Sequence, residues 1–181
     1  EQADLAFAMQ PGHGDFVHMV VAPGDIHEIV EDSYEAFNWA DKYQMPVIVI
    51  VDKKIQSAYQ TVNDEALFEN LPPVDRGPRF TPNGDYLRFA FTDSGVSPRA
   101  IPGEEGGTFW VTTDEHDERG HITESTENRV RMMEKRMGKL ALAAREIPAD
   151  RKVKLYGPED ADVTIVGWGT TKGSIQDAMA V

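Results

Sequence analysis

Not one of the 181 residues is cysteine. That excludes disulfides, thiolate zinc sites, a cysteine nucleophile and any iron–sulfur cluster held by this chain. Any iron–sulfur redox centre must therefore sit on a partner subunit. Basic residues are also scarce: 18 Lys and Arg face 31 Asp and Glu, a formal net charge of -13. Neutralising phosphates takes clustered cations, so no nucleic-acid partner is expected. No apolar run approaches the roughly 18 residues that a membrane span needs, so no membrane partner is expected either. The opening Glu1-Gln2-Ala3-Asp4 has neither an initiator Met nor a basic, apolar leader, so truncation is its expected origin and a cytoplasmic location the expectation. Also missing are a G-x-S-x-G nucleophile elbow, a G-x-G-x-x-G fingerprint and a P-loop.

What remains is ordinary for a globular chain, with 40% hydrophobic and 27% charged residues. Its length allows one compact domain and the start of a second. Residues 4–10 read as a short helix stopped by Pro11-Gly12-His13-Gly14. The apolar run His18-Met19-Val20-Val21-Ala22, ended by Pro23-Gly24, reads as a strand. Asp25 is placed to cap a helix whose Ile26, Ile29, Val30, Phe37 and Ala40 recur at helical spacing. Pro46-Val47-Ile48-Val49-Ile50-Val51-Asp52 is a β-branched run suited to a strand buried on both faces. Strand, helix, strand in that order predicts a right-handed parallel crossover.

From Asn63 onward, prolines and glycines crowd together and mark an excursion from the sheet. Two strands are expected there, over 86–92 and 108–113. Thr123 is expected to start a long helix whose Val130, Met133, Met137, Leu140 and Ala144 form its apolar seam, ended by Pro148. A linker is read over 148–160. Over 162–169 a strand leads into a glycine turn, with Thr170 or Thr171 capping a helix from Ser174.

The densest polar stretch is Asp114-Glu115-His116-Asp117-Glu118-Arg119-Gly120-His121. Its ligand types suit a divalent metal, although histidines five apart match neither a helical zinc motif nor an EF-hand loop. The plainer reading is a solvated loop ahead of a helix that welcomes acids in its first turn. The functional reading is a loop closing over a site, where His116 or His121 moves protons near neutral pH. The Pro11-Gly12-His13-Gly14-Asp15 turn either brings backbone close to a ligand beside His13 or simply turns the chain. Arg99 has the fork for a carboxylate from a 2-oxoacid or a neighbouring subunit, and equally for a structural salt bridge. Gly167-Trp168-Gly169-Thr170-Thr171-Lys172-Gly173 joins a strand to a helix but lacks the spacing of a phosphate cradle, so it reads as a tight turn.

Eight segments, Glu1-Gln2-Ala3-Asp4-Leu5, Gly12-His13-Gly14, Ala22-Pro23-Gly24, Glu35-Ala36-Phe37-Asn38, Lys42-Tyr43-Gln44-Met45-Pro46-Val47-Ile48-Val49, Gly95-Val96-Ser97-Pro98-Arg99-Ala100-Ile101-Pro102-Gly103, Glu115-His116-Asp117-Glu118 and Gly167-Trp168-Gly169-Thr170-Thr171-Lys172-Gly173, taken in order and spacing, resemble the alpha subunits of 2-oxoacid:ferredoxin oxidoreductases. The resemblance implies an α/β fold with a doubly wound, mostly parallel sheet. Residues 1–147 would be the C-terminal part of a thiamine-diphosphate pyrimidine-side domain, 148–160 a linker, and 161–181 the first strand and helix of a transketolase C-terminal-like domain. It further implies oxidative decarboxylation of a 2-oxoacid to acyl-CoA, with electrons passed to ferredoxin and coenzyme A as co-substrate. Thiamine diphosphate and Mg2+ would be bound mainly by a partner beta subunit, which would also carry the iron–sulfur cluster.

The family's Tyr-Pro-Ile-Thr-Pro segment and its Gly-Asp-Gly motif are both absent here. The catalytic residues are therefore expected upstream of Glu1, and the isolated chain is expected to be inactive. By the same resemblance, Gln2, Asp4 and His13 line the substrate site, with Asp117 and His121 on a loop that plugs the channel. Two other readings compete: a non-catalytic docking module, and a metal-dependent hydrolase built on the 114–121 loop.

Overall fold

The computed structural model describes residues 4–14, 16–69 and 71–180. α1 (Asp4–Met9) runs into the Pro11–Gly14 turn, and β1 (Met19–Val21) follows. α2 (Ile26–Tyr43) begins where extended Asp25 accepts a bond from Glu28 N at 2.9 Å. That carboxylate satisfies one of the donors a helix start leaves open. Ala36, Trp39 and Tyr43, three and four apart, form the buried stripe of α2. The helix ends at Gln44, which is left-handed at φ 50, a position usually given to glycine. Its side chain holds it there: Nε2 donates to Ser97 O at 2.6 Å and Oε1 accepts from Arg88 Nη1 at 2.9 Å.

β2 (Val47–Val49) pairs with β1 in parallel, Met19 opposite Val47 and Val21 opposite Val49, with α2 as the connection. The expected crossover is therefore present, and the chain is α/β. The sheet is smaller than the doubly wound one anticipated, two strands among the described residues. Both strands are consequently half-buried rather than covered on both faces. α3 (Lys53–Gln56) is capped by Asp52, and α4 (Asp64–Phe68) by Asn63.

The strands expected over 86–92 and 108–113 do not form. Neither segment joins a ladder, and the first is broken by a turn in which Ala90 N donates to Leu87 O at 3.1 Å. Tyr86 is buried between Phe80 and Phe109, and its hydroxyl accepts from Ala100 N at 2.9 Å. Among the described residues, nearby pairing is limited to the isolated bridges Arg79 with Arg99 and His116 with Ile122.

α5 (Thr126–Glu146) is capped by Ser125 and starts three residues later than expected. It packs on α2, and the core they share with the sheet holds Val17, Trp39, Tyr43, Met45, Ala143 and Ile147. The anticipated apolar seam faces the wrong way: Val130, Met137 and Leu140 are exposed, while Met132 and Ala143 are each 1% exposed. Between those two, the inward face carries Lys135 and Lys139. Their ammonium groups reach carbonyl and hydroxyl oxygens (Phe89 O, Ser97 Oγ, Gln44 O) while their aliphatic stems pack. Apolar counting assigns lysine to solvent, which is why the seam was misread.

α6 (Ala149–Lys152) lies inside the stretch read as a linker. Residues 162–168 form no strand among the described residues, since a strand needs a neighbour for its backbone groups. α7 (Thr171–Met179) follows. Thr170 does not cap it through its side chain; that hydroxyl bonds Asp52 Oδ2 instead. Among the described residues no helix is long and apolar enough to cross a membrane.

Candidate functional site

The turn after α1, the C-terminal end of α2 and the acidic loop converge on a cavity of about 600 Å3. Phe16, Val17, Met45 and Pro46 form its apolar side. Glu115, Arg136 and Lys139 form its polar side. The loop reaches this position because its ends are stitched to neighbouring segments: Phe89 N donates to Glu118 O, and Phe91 N to Glu118 Oε1 at 2.8 Å. Asn128 Nδ2, in the first turn of α5, donates to His116 O at 2.9 Å.

Glu115 is the electrostatic centre of the cavity. Arg136 grips it with two donors, Nη1 to Oε1 at 3.0 Å and Nη2 to Oε2 at 2.6 Å, and Arg129 Nη1 adds a third bond at 3.3 Å. Burial pushes the Glu115 carboxyl up, but the Arg136 guanidinium and the His116 amide hold it below the ordinary range. Burial lowers both Lys135 and Lys139 to about 8, with Arg88 and Arg136 adding repulsion to each. The cavity is therefore cationic on the α5 side, with two carboxylates, Asp114 and Glu115, on the loop side.

The residues singled out from sequence are not gathered at one point. Gln2 lies outside the described residues. Asp4 starts α1, on the exposed surface. His13 is exposed in the turn whose later residues, Gly14 and Phe16, line the cavity. A Cβ at Gly12 would come within 2.5 Å of the Phe16 ring, so this glycine lets the ring fold back over the turn. Asp117 is consumed by its own loop: Oδ1 accepts from Arg119 N at 2.9 Å and from His121 N at 3.0 Å. Burial pushes its carboxyl up, yet these amides and the His121 charge hold it low. His121 is exposed and meets Trp110 edge-on, ring centroids 6.0 Å apart. Arg99 pairs with Asp41 at 2.8 Å, the structural salt bridge that was one of its two readings.

These bonds also answer the metal-hydrolase reading. Asp117 and Glu115 are occupied by amides and guanidiniums, His116 Nδ1 lies 3.0 Å from Asp117 O, and among the described residues no three His, Asp or Glu side chains converge as ligands. The 167–173 turn carries no free phosphate-gripping lysine, because Lys172 Nζ is held by Asp25 and Glu28. Sequence reading missed Arg129, Arg136, Lys139 and Gln44. Seven-residue spacing places both arginines on one face of α5, a signal that was available.

Residues 1–135 match the family model described as pyruvate flavodoxin/ferredoxin oxidoreductase, thiamine diP-bdg. The chain is 42% identical over 180 residues to 2-oxoacid:ferredoxin oxidoreductase 1, subunit alpha, of Sulfurisphaera tokodaii, covering 98% of this chain and 28% of that protein. It is 27% identical to the 2-oxoglutarate synthase subunit KorA of Methanothermobacter thermautotrophicus, covering 46% of it. Among solved structures, the 2-oxoglutarate:ferredoxin oxidoreductase from Magnetococcus marinus, with 2-oxoglutarate, coenzyme A and succinyl-CoA bound, superposes with a TM-score of 0.83 at 29% identity, covering 99% of this chain and 31% of that one. The chain thus spans well under two thirds of each of these relatives. Its parallel crossover, the cavity between its glycine turn and its acidic loop, and these matches together place the chain in the pyruvate flavodoxin/ferredoxin oxidoreductase family, in the thiamine-diphosphate-binding region.

Proposed function

We propose that this chain forms one wall of the active-site chamber of a 2-oxoacid:ferredoxin oxidoreductase, as part of its alpha subunit. The reaction is oxidative decarboxylation of a 2-oxoacid to acyl-CoA, with electrons leaving to ferredoxin. Residues 1–147 serve as the C-terminal part of the pyrimidine-side domain, 148–160 as a connection, and 161–181 as the start of a transketolase C-terminal-like domain. The observation that carries this reading is the cavity between Gly14, Phe16 and Val17 and the acidic loop, lined on one side by apolar groups and on the other by cations and the carboxylates of Asp114 and Glu115.

That lining suits a flat heteroaromatic ring on Phe16, Val17, Met45 and Pro46. It offers a diphosphate–magnesium group little purchase, because of its two carboxylates Glu115 is already held by arginines and only Asp114 remains. The diphosphate, Mg2+ and the iron–sulfur cluster accordingly belong to a partner beta subunit. When bound, thiamine diphosphate supplies an electron sink for decarboxylation. This chain's own residues exclude water along the apolar wall and draw the anionic 2-oxoacid toward Arg129, Arg136 and Lys139. Asp4, His13, Asp117 and His121 are assigned to the border of the approach, as the resemblance also implies for Gln2.

Co-expression of the full-length alpha chain with its beta partner should yield coenzyme A-dependent reduction of ferredoxin by a 2-oxoacid, and the 181-residue chain alone should yield none. Glu115→Gln, which leaves two guanidiniums without their carboxylate, should lower the KM for the 2-oxoacid severalfold. An assembled enzyme with no 2-oxoacid oxidation overturns the reading. Exposed Leu155 and Val166, at 86% and 92%, favour a second role in docking. A chain that assembles normally yet leaves KM untouched on Glu115→Gln would leave docking as its whole function.

A further inference from the structure

A second concavity, of about 1020 Å3, opens between the 99–109 loop and the C-terminal end of α2. Its charged lining is Arg76, Arg88, Arg99, Asp41 and Glu104. Two of these arginines share one carboxylate: Arg76 Nη1 lies 2.5 Å from Asp41 Oδ2 and Arg99 Nη2 lies 2.8 Å from Oδ1. Glu104 is engaged elsewhere, by Arg79 and by the amide of Ile101. The lining therefore sets three guanidiniums against two carboxylates, of which Glu104 is already paired outside the cavity, in a chain whose overall charge is -13.

Arg88 is the unusual member. Its Nη1 donates to the neutral amide oxygen of Gln44, and its guanidinium lies 5.1 Å from the Phe89 ring centroid and 5.8 Å from that of Phe109. Among the described residues it meets no carboxylate. A partly buried cation is normally balanced by an anion, since desolvation is costly and ring faces compensate only in part. Behind it, Lys135 and Lys139 also rest on neutral oxygens, so the local field is reinforced rather than cancelled. With the two rings beside it and Nη1 bonded to Gln44, the remaining N–H donors of the guanidinium are the route to a ligand.

We propose that this cavity binds a small dianion, a phosphoryl group or a dicarboxylate, with Arg88 as its innermost ligand and Arg76 and Arg99 at its rim. Forked N–H pairs match both kinds of oxyanion, and the volume is at the upper end of the range for small-molecule pockets. Phe109, Ala100, Ile101 and Pro102 supply an apolar surface for the organic part of such a ligand. The site is separate from the thiamine-facing cavity and does not depend on that assignment.

Calorimetric titration of the full-length, assembled protein at constant ionic strength, with inorganic phosphate and with succinate, tests the proposal. At least one should bind tenfold or more tighter than acetate, and the stronger of the two identifies the ligand as phosphoryl or dicarboxylate. Arg88→Gln should weaken binding at least tenfold, Arg76→Gln severalfold, and the charge-matched Arg145→Gln on the exposed end of α5 should leave it unchanged. Should Arg88→Gln fail to fold, as judged by circular dichroism, the more exposed Arg76 and Arg99 variants carry the test. Binding no stronger than that of acetate, or loss equal in Arg145→Gln, overturns it.

Discussion

Lys172 donates to Glu28 Oε1 at 2.7 Å, joining the first turn of α7 to the first turn of α2 across 144 positions of sequence. Lys154 Nζ reaches the same oxygen at 2.6 Å, and Gly24 N donates to Oε2 at 2.7 Å. One carboxylate thus ties the C-terminal segment to the loop that starts α2. Gly24 is needed for this closeness, since a Cβ there would fall 2.6 Å from Lys172 Cδ.

Removing that carboxylate should release the C-terminal segment. Glu28→Gln leaves two ammonium groups without their shared anion, and a cost of roughly 2–4 kcal/mol is expected in urea denaturation. Burial pushes the Glu28 carboxyl up, but Lys154, Lys172 and the Gly24 amide outweigh it and hold it below its ordinary value. A depressed folded pKa means the contribution is complete above the unfolded carboxylate value and is lost as pH falls through the folded one. The gap in denaturation midpoint between wild type and Glu28→Gln should therefore be wide at pH 7 and narrow at pH 3; a gap equally wide in acid would contradict this.

Lys135 and Lys139 predict a trend at the other end of the pH scale. Burial depresses both to about 8, well below the unfolded lysine value. Between those two values the unfolded chain binds more protons than the folded one, so stability rises as pH goes up through about 8. Lys135→Met should flatten that rise. Denaturation at pH 7 and pH 9.5 measures it, and a fall in wild-type stability over this interval would refute the assignment.

Gly120 allows the acidic loop to close. It sits at φ +88, and a Cβ there would lie 1.8 Å from Trp110 O, a backbone atom that cannot move aside alone. Gly120→Ala is expected to cost about 2–4 kcal/mol, combining backbone strain with a steric clash. Hydrogen exchange should report the change locally, with protection lost at the Arg119 and His121 amides that bond Asp117 Oδ1. Unchanged protection would show that the loop does not need this contact.

Local chemistry was legible wherever a few neighbouring residues suffice. Asp25 before an apolar-periodic stretch announced α2, and β-branched Val47, Ile48 and Val49 announced β2. The acidic loop could be located, yet its workings could not. The resemblance assigned Asp117 to the channel loop, but chain order does not show that the amides of Arg119 and His121 become its partners once the loop closes. The face of α5 was misjudged for a related reason, since Lys135 and Lys139 count as surface residues until Phe89, Ser97 and Gln44 offer oxygens to their ammonium groups.

The sequence by itself determined the α/β class, the parallel crossover, the want of thiolate chemistry and the family, because each follows from residue types and short-range order. Only the tertiary structure decided which carboxylates are free and which cations are buried. Glu115 meets Arg136, Arg88 meets Gln44, and Glu28 meets Lys172 across separations of 21, 44 and 144 residues. Charge pairing acts over a few ångströms, and chain order does not record which distant residues the fold brings that close.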